Sequence, residues 1–185
     1  AGASVVGDVL TTTGIETVTI TSGGTNIAAT SVADATTVAN SLGGIVTTTT
    51  NATLNVAGDK KVTLSAVDVD FTTINVTNSV GADITVAASS AKTTFTGGAG
   101  NDRIQLATVA ELVATGALAD TLNGGDGVDS LSFGAVFSAV TTAQLARATN
   151  FEVLEFSAST NTVGTGGAAV DLTKLVGADT LYLGG

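Results

Sequence analysis

The chain has 185 residues and a formal charge of -10, from 16 acids against 6 bases, and is 44% hydrophobic but only 4% aromatic. It contains no His, Cys, Met, Trp or Pro, which excludes disulfide stapling, thiolate chemistry, Ser-His-Asp and Cys-His nucleophiles and an H-E-x-x-H zinc site. The bases Lys60, Lys61, Lys92, Arg103, Arg147 and Lys174 are too scattered to make a nucleic-acid face, and no run approaches the ~18 apolar residues of a membrane span.

Many β-branched and small residues with few large rings suit thin, repetitive β-layers. Residues 1–23 read as two strands about the turn Thr11-Thr12-Thr13-Gly14. In the second strand neither parity is purely apolar, which predicts a position covered on both sides or at a rim. From Asp34 to Gly43 the sequence suggests a short helix, capped by Asp34 and carrying Val38 and Leu42 at i and i+4. Between Ile45 and Thr96 apolar pairs recur at roughly ten-residue intervals: Leu54/Val56, Val62/Leu64, Ile74/Val76, Ile84/Val86, then Phe95 and Ile104. That is the rhythm of short strands joined by short turns, which solenoids and sandwiches share.

The stretch that decides between them runs from Gly97 to Ser132. Gly97-Gly98-Ala99-Gly100-Asn101-Asp102-Arg103-Ile104-Gln105 and Gly124-Gly125-Asp126-Gly127-Val128-Asp129-Ser130-Leu131-Ser132 are two copies of G-G-x-G-x-D-x-(large apolar)-x. Calcium takes about six to eight oxygens, so a site built from short turns must supply carbonyls as well as carboxylates. Glycines let such a turn aim successive carbonyls at one centre. Asp102 and Asp129 bring charge at the start of each strand, and Ile104 and Leu131 point the opposite way into a core. The candidate metal residues are therefore Gly97, Gly98, Ala99, Gly100, Asn101, Asp102, Gly124, Gly125, Asp126, Gly127 and Asp129.

One copy begins at Gly97 and the other at Gly124, a separation equal to three nonapeptides. In that register Glu111 and Asp120 fall at the acidic position, which adds Asp120 to the candidates, and Val113 and Leu122 at the apolar one. A second reading makes Thr108-Val109-Ala110-Glu111 a capping box that starts a short helix ending at Gly116, the chain returning at residues 120–123 to stack one glycine turn beside the other. Both readings stay open at this point.

Residues 95–102 and 123–129 resemble the repeats of RTX-type calcium-binding proteins, in particular bacterial RTX surface-layer proteins and large RTX adhesins. Residues 14–20 and 150–156 resemble strand segments recurring in such proteins. The resemblance implies an all-β fold, a parallel β-solenoid or β-roll with calcium-binding glycine turns, here with one to three short helical excursions. It also implies Ca2+ as cofactor, export by type I secretion to the cell surface, and self-association into a surface lattice without nucleic acid or membrane insertion. Cell-surface polysaccharide would be reached through another part of the parent protein. One elongated domain is expected, with a Thr-rich solenoid section at 1–96, a calcium-binding section at 97–132 and a continuing section at 133–185.

Beyond that stretch, Thr141-Thr142-Ala143-Gln144 forms a capping box for a helix through Leu145 to Ala148. A strand at Phe151 to Phe156, a Ser/Thr/Gly loop and a last unit ending on Leu181-Tyr182-Leu183 follow, and with no polar cap the chain reads as a section of a longer protein. Asp68-Val69-Asp70 resembles a metal-nucleotide D-x-D, though a solvated edge pair is the simpler explanation. Glu152 and Glu155 fall on opposite strand faces, against a shared acid/base site. The functional expectation is a calcium-dependent structural module of a secreted surface-layer protein and not an enzyme. The alternatives are an adhesin repeat region or the folding tail of an RTX protease, lipase or lyase, and for a lyase Arg103 is the only base in the metal stretch.

Overall fold

The computed structural model describes residues 5–23, 40–87, 92–112, 114–134, 140–156 and 180–183. The expected units at 34–39 and 170–172, and residue 113, lie outside these. The described chain is all-β, with strands at Val5–Thr12 (β1), Thr17–Ser22 (β2), Asn40–Thr47 (β3), Ala52–Gly58 (β4), Val62–Val67 (β5), Phe71–Val76 (β6), Ala82–Val86 (β7) and Thr94–Thr96 (β8). Arg103–Leu106 (β9), Thr121–Asn123 (β10), Ser130–Phe133 (β11), Ala148–Thr149 (β12), Val153–Phe156 (β13) and Thr180–Leu183 (β14) complete them.

These strands form two parallel sheets. One has eight strands in the order β1-β3-β5-β7-β9-β11-β13-β14, the other six in the order β12-β10-β8-β6-β4-β2. Strands alternate between the sheets along most of the sequence, so each coil lays one rung on each and the chain winds as a parallel β-solenoid.

Period-two alternation builds the core between the sheets. On the first sheet Leu42, Leu64, Ile84, Ile104, Leu131 and Leu154 follow one another in register. On the second, Val18, Leu54, Ile74, Phe95, Leu122 and Ala148 do the same. All but Leu42, which packs against their edge, are buried, and each large side chain so enclosed contributes about 1.5–3 kcal/mol. Phe95 stacks on Phe151 at 6.4 Å and Phe133 on Phe156 at 5.4 Å. Outward, the second sheet carries one ladder of Thr17, Thr53, Thr73, Thr94 and Thr121 and another of Thr19, Asn55, Asn75, Thr96, Asn123 and Thr149.

The register settles the meaning of the interval between Gly97 and Gly124. Leu64 pairs with Ile84 and Ile84 with Ile104, an even coil length, whereas the next partner of Ile104 is Leu131, further along the chain than that rhythm would place it. The interval between the glycine copies is thus one coil, lengthened by an excursion, and not three nonapeptides. Among its described residues the excursion contains a single 3-10 turn at Val109–Glu111, and Val109 and Leu112 are buried there. Thr108 is its N-cap without a side-chain capping bond. Instead the Glu111 carboxylate accepts from the Ala107 amide at 2.8 Å, and burial pushes the pKa of that acid up.

Three further expectations are corrected. Asn40–Gly43 belong to β3 rather than to a helix, because a place in the parallel ladder outweighs the weak helix propensity of this segment. Asp68 and Asp70 stand in the turn after β5, not on a strand face. There Asp68 accepts from the Thr47 and Asp70 amides, each at 3.2 Å, and closes the turn itself. The helix expected after Thr141 forms with both halves of its capping box but is shorter, Thr142–Leu145 (α1), because Ala148 and Thr149 join the second sheet. Gln144 also reaches the excursion one coil back, donating to the Val109 and Leu112 carbonyls at 2.7 and 3.2 Å.

Candidate functional site: stacked glycine turns and an acidic ladder

Residues 97–102 lead from β8 to β9 and residues 124–129 from β10 to β11, so both turns lie at the same edge of the solenoid. Thr96 pairs with Asn123 before the turns and Arg103 with Ser130 after them, which places the copies side by side, residue against residue. Backbone bonds tie them together: the Gly97 amide donates to the Asn123 carbonyl, Asp126 to Gly98, and Ser130 to Asp102, each at 2.8 Å. The Val128 amide donates to Asn101 Oδ1 at 3.0 Å.

Close approach explains the glycines at two positions. A Cβ on Gly97 would run into the Gly124 carbonyl and stand 2.9 Å from Asp102 Oδ2. One on Gly124 would run into the Asn150 carbonyl and stand 2.8 Å from Asp129 Oδ2. At each turn the glycine Cα is thus packed between a carboxylate oxygen and a carbonyl of the following coil, a close cradle with no room for a side chain.

Carboxylates form a ladder along this edge. Asp102 Oδ1 accepts from the Ala82 amide at 2.7 Å, Asp129 Oδ1 from the Asp102 amide at 2.7 Å, and Glu152 Oε2 from the Asp129 amide at 2.8 Å. Each acid thus reaches back one coil and fills a backbone donor that the ladder of the sheet does not. Asp102 and Asp129 are buried at 1% and 0% exposure.

Their second oxygens differ. Asp102 Oδ2 accepts from the Gly98 amide at 2.8 Å, whereas Asp129 Oδ2 is buried with no hydrogen-bond partner. Desolvation raises the pKa of Asp102 against the opposing Gly98 and Ala82 bonds. It raises that of Asp129 to about 6, with the charges of Asp102, Glu152 and Asp126 adding to burial and only the Asp102 amide opposing.

A buried carboxylate oxygen without a donor, beside a carbonyl and among three other acids, fits a hard cation. Among the described residues no three acidic side chains converge on one point, so such an ion would take backbone carbonyls and water for most of its oxygens. Calcium, with its high coordination number and tolerance of irregular geometry, suits that donor set.

Of the expected residues, the two glycine turns with Asp102 and Asp129 come together. Asp120 does not: it precedes β10, at the opposite end of the strand from the turns, where its Oδ1 accepts from the Thr93 amide at 2.6 Å. Glu152 was not expected in the ladder. Its signal is an acid two residues before a large apolar residue, Glu152-Val153-Leu154, as in Asp102-Arg103-Ile104 and Asp129-Ser130-Leu131. Arg103 is committed elsewhere, on the outer face of the first sheet. It pairs with Asp83 at 3.0 Å and Glu155 at 2.8 Å, and donates to Gln105 at 3.1 Å and Ser132 at 2.9 Å.

Fold and turns together define a class, a parallel β-solenoid whose glycine turns stack over buried carboxylates. Compared with protein-family models, with curated proteins and with solved structures, the chain matches none.

Proposed function

We propose that this chain is a calcium-dependent structural module of a secreted bacterial surface-layer protein of the RTX type, in which the ion stabilises the solenoid and its self-assembly outside the cell. The observation that carries the reading is Asp129 Oδ2, fully buried, unpartnered and under the repulsion of Asp102, Glu152 and Asp126. Left bare, that oxygen costs about 1–3 kcal/mol or more; a bound cation removes the penalty and cancels the repulsion along the ladder. Because the cradle exists only when successive coils are stacked, metal affinity becomes folding free energy. Weak binding, about 10⁻⁴–10⁻³ M as in other extracellular modules, leaves the folded chain less stable in a low-calcium cytosol than outside.

The structural reading is preferred to the lyase alternative because Arg103, the only base in the stretch from Gly97 to Ser132, is paired with Asp83 and Glu155.

The test is circular dichroism and thermal melting in excess EDTA and in millimolar calcium. A rise in melting temperature with calcium, absent with magnesium, is expected. An unchanged β-signal and melting temperature in the two conditions would reject the reading.

A further inference from the structure

The two glycine turns share a sequence pattern but not a hydrogen-bond pattern. In the first, the Gly98 amide closes Asp102 by donating to its Oδ2 at 2.8 Å. In the second, the equivalent amide of Gly125 donates instead to Asn123 Oδ1 at 3.1 Å, and Gly125 takes the left-handed conformation, φ +100°. Asp129 Oδ2 is left without a donor as a result.

The residue responsible is the one just before the turn. Asn123 pairs in register with Thr96, whose side chain ends in a hydroxyl on a shorter stem. An Asn side chain reaches an amide two residues on, closing an Asx turn, more readily than Thr does. Asn123 is itself held from the next coil, since Asn150 Nδ2 donates to the same Oδ1 at 2.9 Å. Asn150 is one of two non-glycine residues with positive φ among those described, at 53°. Its carbonyl is the one that meets the Gly124 cradle beside Asp129 Oδ2.

We infer that the chain binds one calcium ion, not two, at the second glycine turn. Asp129 Oδ2 and the Asn150 carbonyl are among its ligands, and Asn123 is the positioning residue that keeps Asp129 open by drawing off the Gly125 amide. The ion then lies between the second turn and the Asn150–Glu152 turn rather than between the two glycine turns. The first turn is closed by its own amide and serves as the floor of the stack. This inference rests on the calcium reading proposed above and specifies where in the ladder that reading applies.

Calorimetric titration of the chelator-stripped chain with calcium tests it, with melting in EDTA as a second readout. The wild type should bind with a stoichiometry of one. Asn123→Thr, which imitates the first turn, should weaken calcium by about 10- to 100-fold, the usual effect of losing a residue that orients a ligand. It should do so without lowering the melting temperature in EDTA, because the Gly125 amide then satisfies Asp129. A merely structural Asn123 would lower that temperature and leave affinity alone. The converse variant, Thr96→Asn, should open Asp102 and raise the stoichiometry from one to two. Two ions in the wild type, unchanged affinity in Asn123→Thr, or a single ion in Thr96→Asn would overturn the inference while leaving calcium binding intact. No calcium binding by the wild type would overturn both readings.

Discussion

Replacing Asp129 by Asn separates the cost of the buried charge from the shape of the turn. Asn keeps an oxygen for the Asp102 amide, now bound at 2.7 Å, and puts an amide nitrogen where the unpartnered Oδ2 stands, beside the Asn150 carbonyl. The folded-state pKa of Asp129, about 6, lies above its ordinary value of 3.8. A raised pKa means the folded chain holds the proton more tightly than the unfolded one, so the contribution is fully present below pH 3.8 and lost as pH rises through about 6. The gap corresponds to about 3 kcal/mol of penalty on the ionised form at pH 7. In chelator at pH 7, Asp129→Asn should therefore be more stable than wild type by about 2–3 kcal/mol, and at about pH 3.5 the difference should nearly vanish. Calcium at about 100 times its Kd adds about 2.7 kcal/mol to a chain that binds it and nothing to one that does not. Wild type should therefore recover in calcium while the variant stays unchanged. Urea denaturation followed by circular dichroism, at both pH values and with and without calcium, reads all four states. A variant less stable than wild type in chelator at pH 7 would refute the argument, since it would show that the buried carboxylate is not under strain.

Other outcomes rest on the packing. Gly124→Ala drives a methyl into the Asn150 carbonyl and should cost about 1–3 kcal/mol in urea denaturation. Gly14→Ala, at φ +68° with open space around it, should cost only the left-handed strain, about 1 kcal/mol. Arg103→Leu leaves Asp83 and Glu155 without their shared cation on a partly exposed face; a loss of about 1–2 kcal/mol that shrinks in high salt is expected in the same assay. Gln144→Ala removes the capping box and the bonds to Val109 and Leu112, and should lower stability by about 1–2 kcal/mol, with faster hydrogen exchange at the Leu145 and Ala146 amides than in wild type.

What the sequence determined by itself was local. Pairs such as Leu54/Val56 and Ile84/Val86 point inward because a strand repeats every two residues, whatever it pairs with. Glycines at 97 and 124 announce turns in which a Cβ has no room. Those two signals sufficed for parallel β-coils with glycine turns at one edge. What only the tertiary structure decided is which coil lies on which. The spacing from Gly97 to Gly124 is also compatible with three nonapeptides, and the pairing of Ile104 with Leu131 makes it a single coil. That pairing depends on how much chain the excursion at 107–120 takes up, a quantity no local period encodes. Glu152 entered the ladder for the same reason: its partner, the Asp129 amide, is distant in sequence and next door in space. The unlike fates of Asp102 and Asp129, in matching motifs, turn on whether a Thr or an Asn precedes the turn and on what the following coil offers to hold it. Hydrogen bonds between coils are set by register, and register exists only once the coils are stacked.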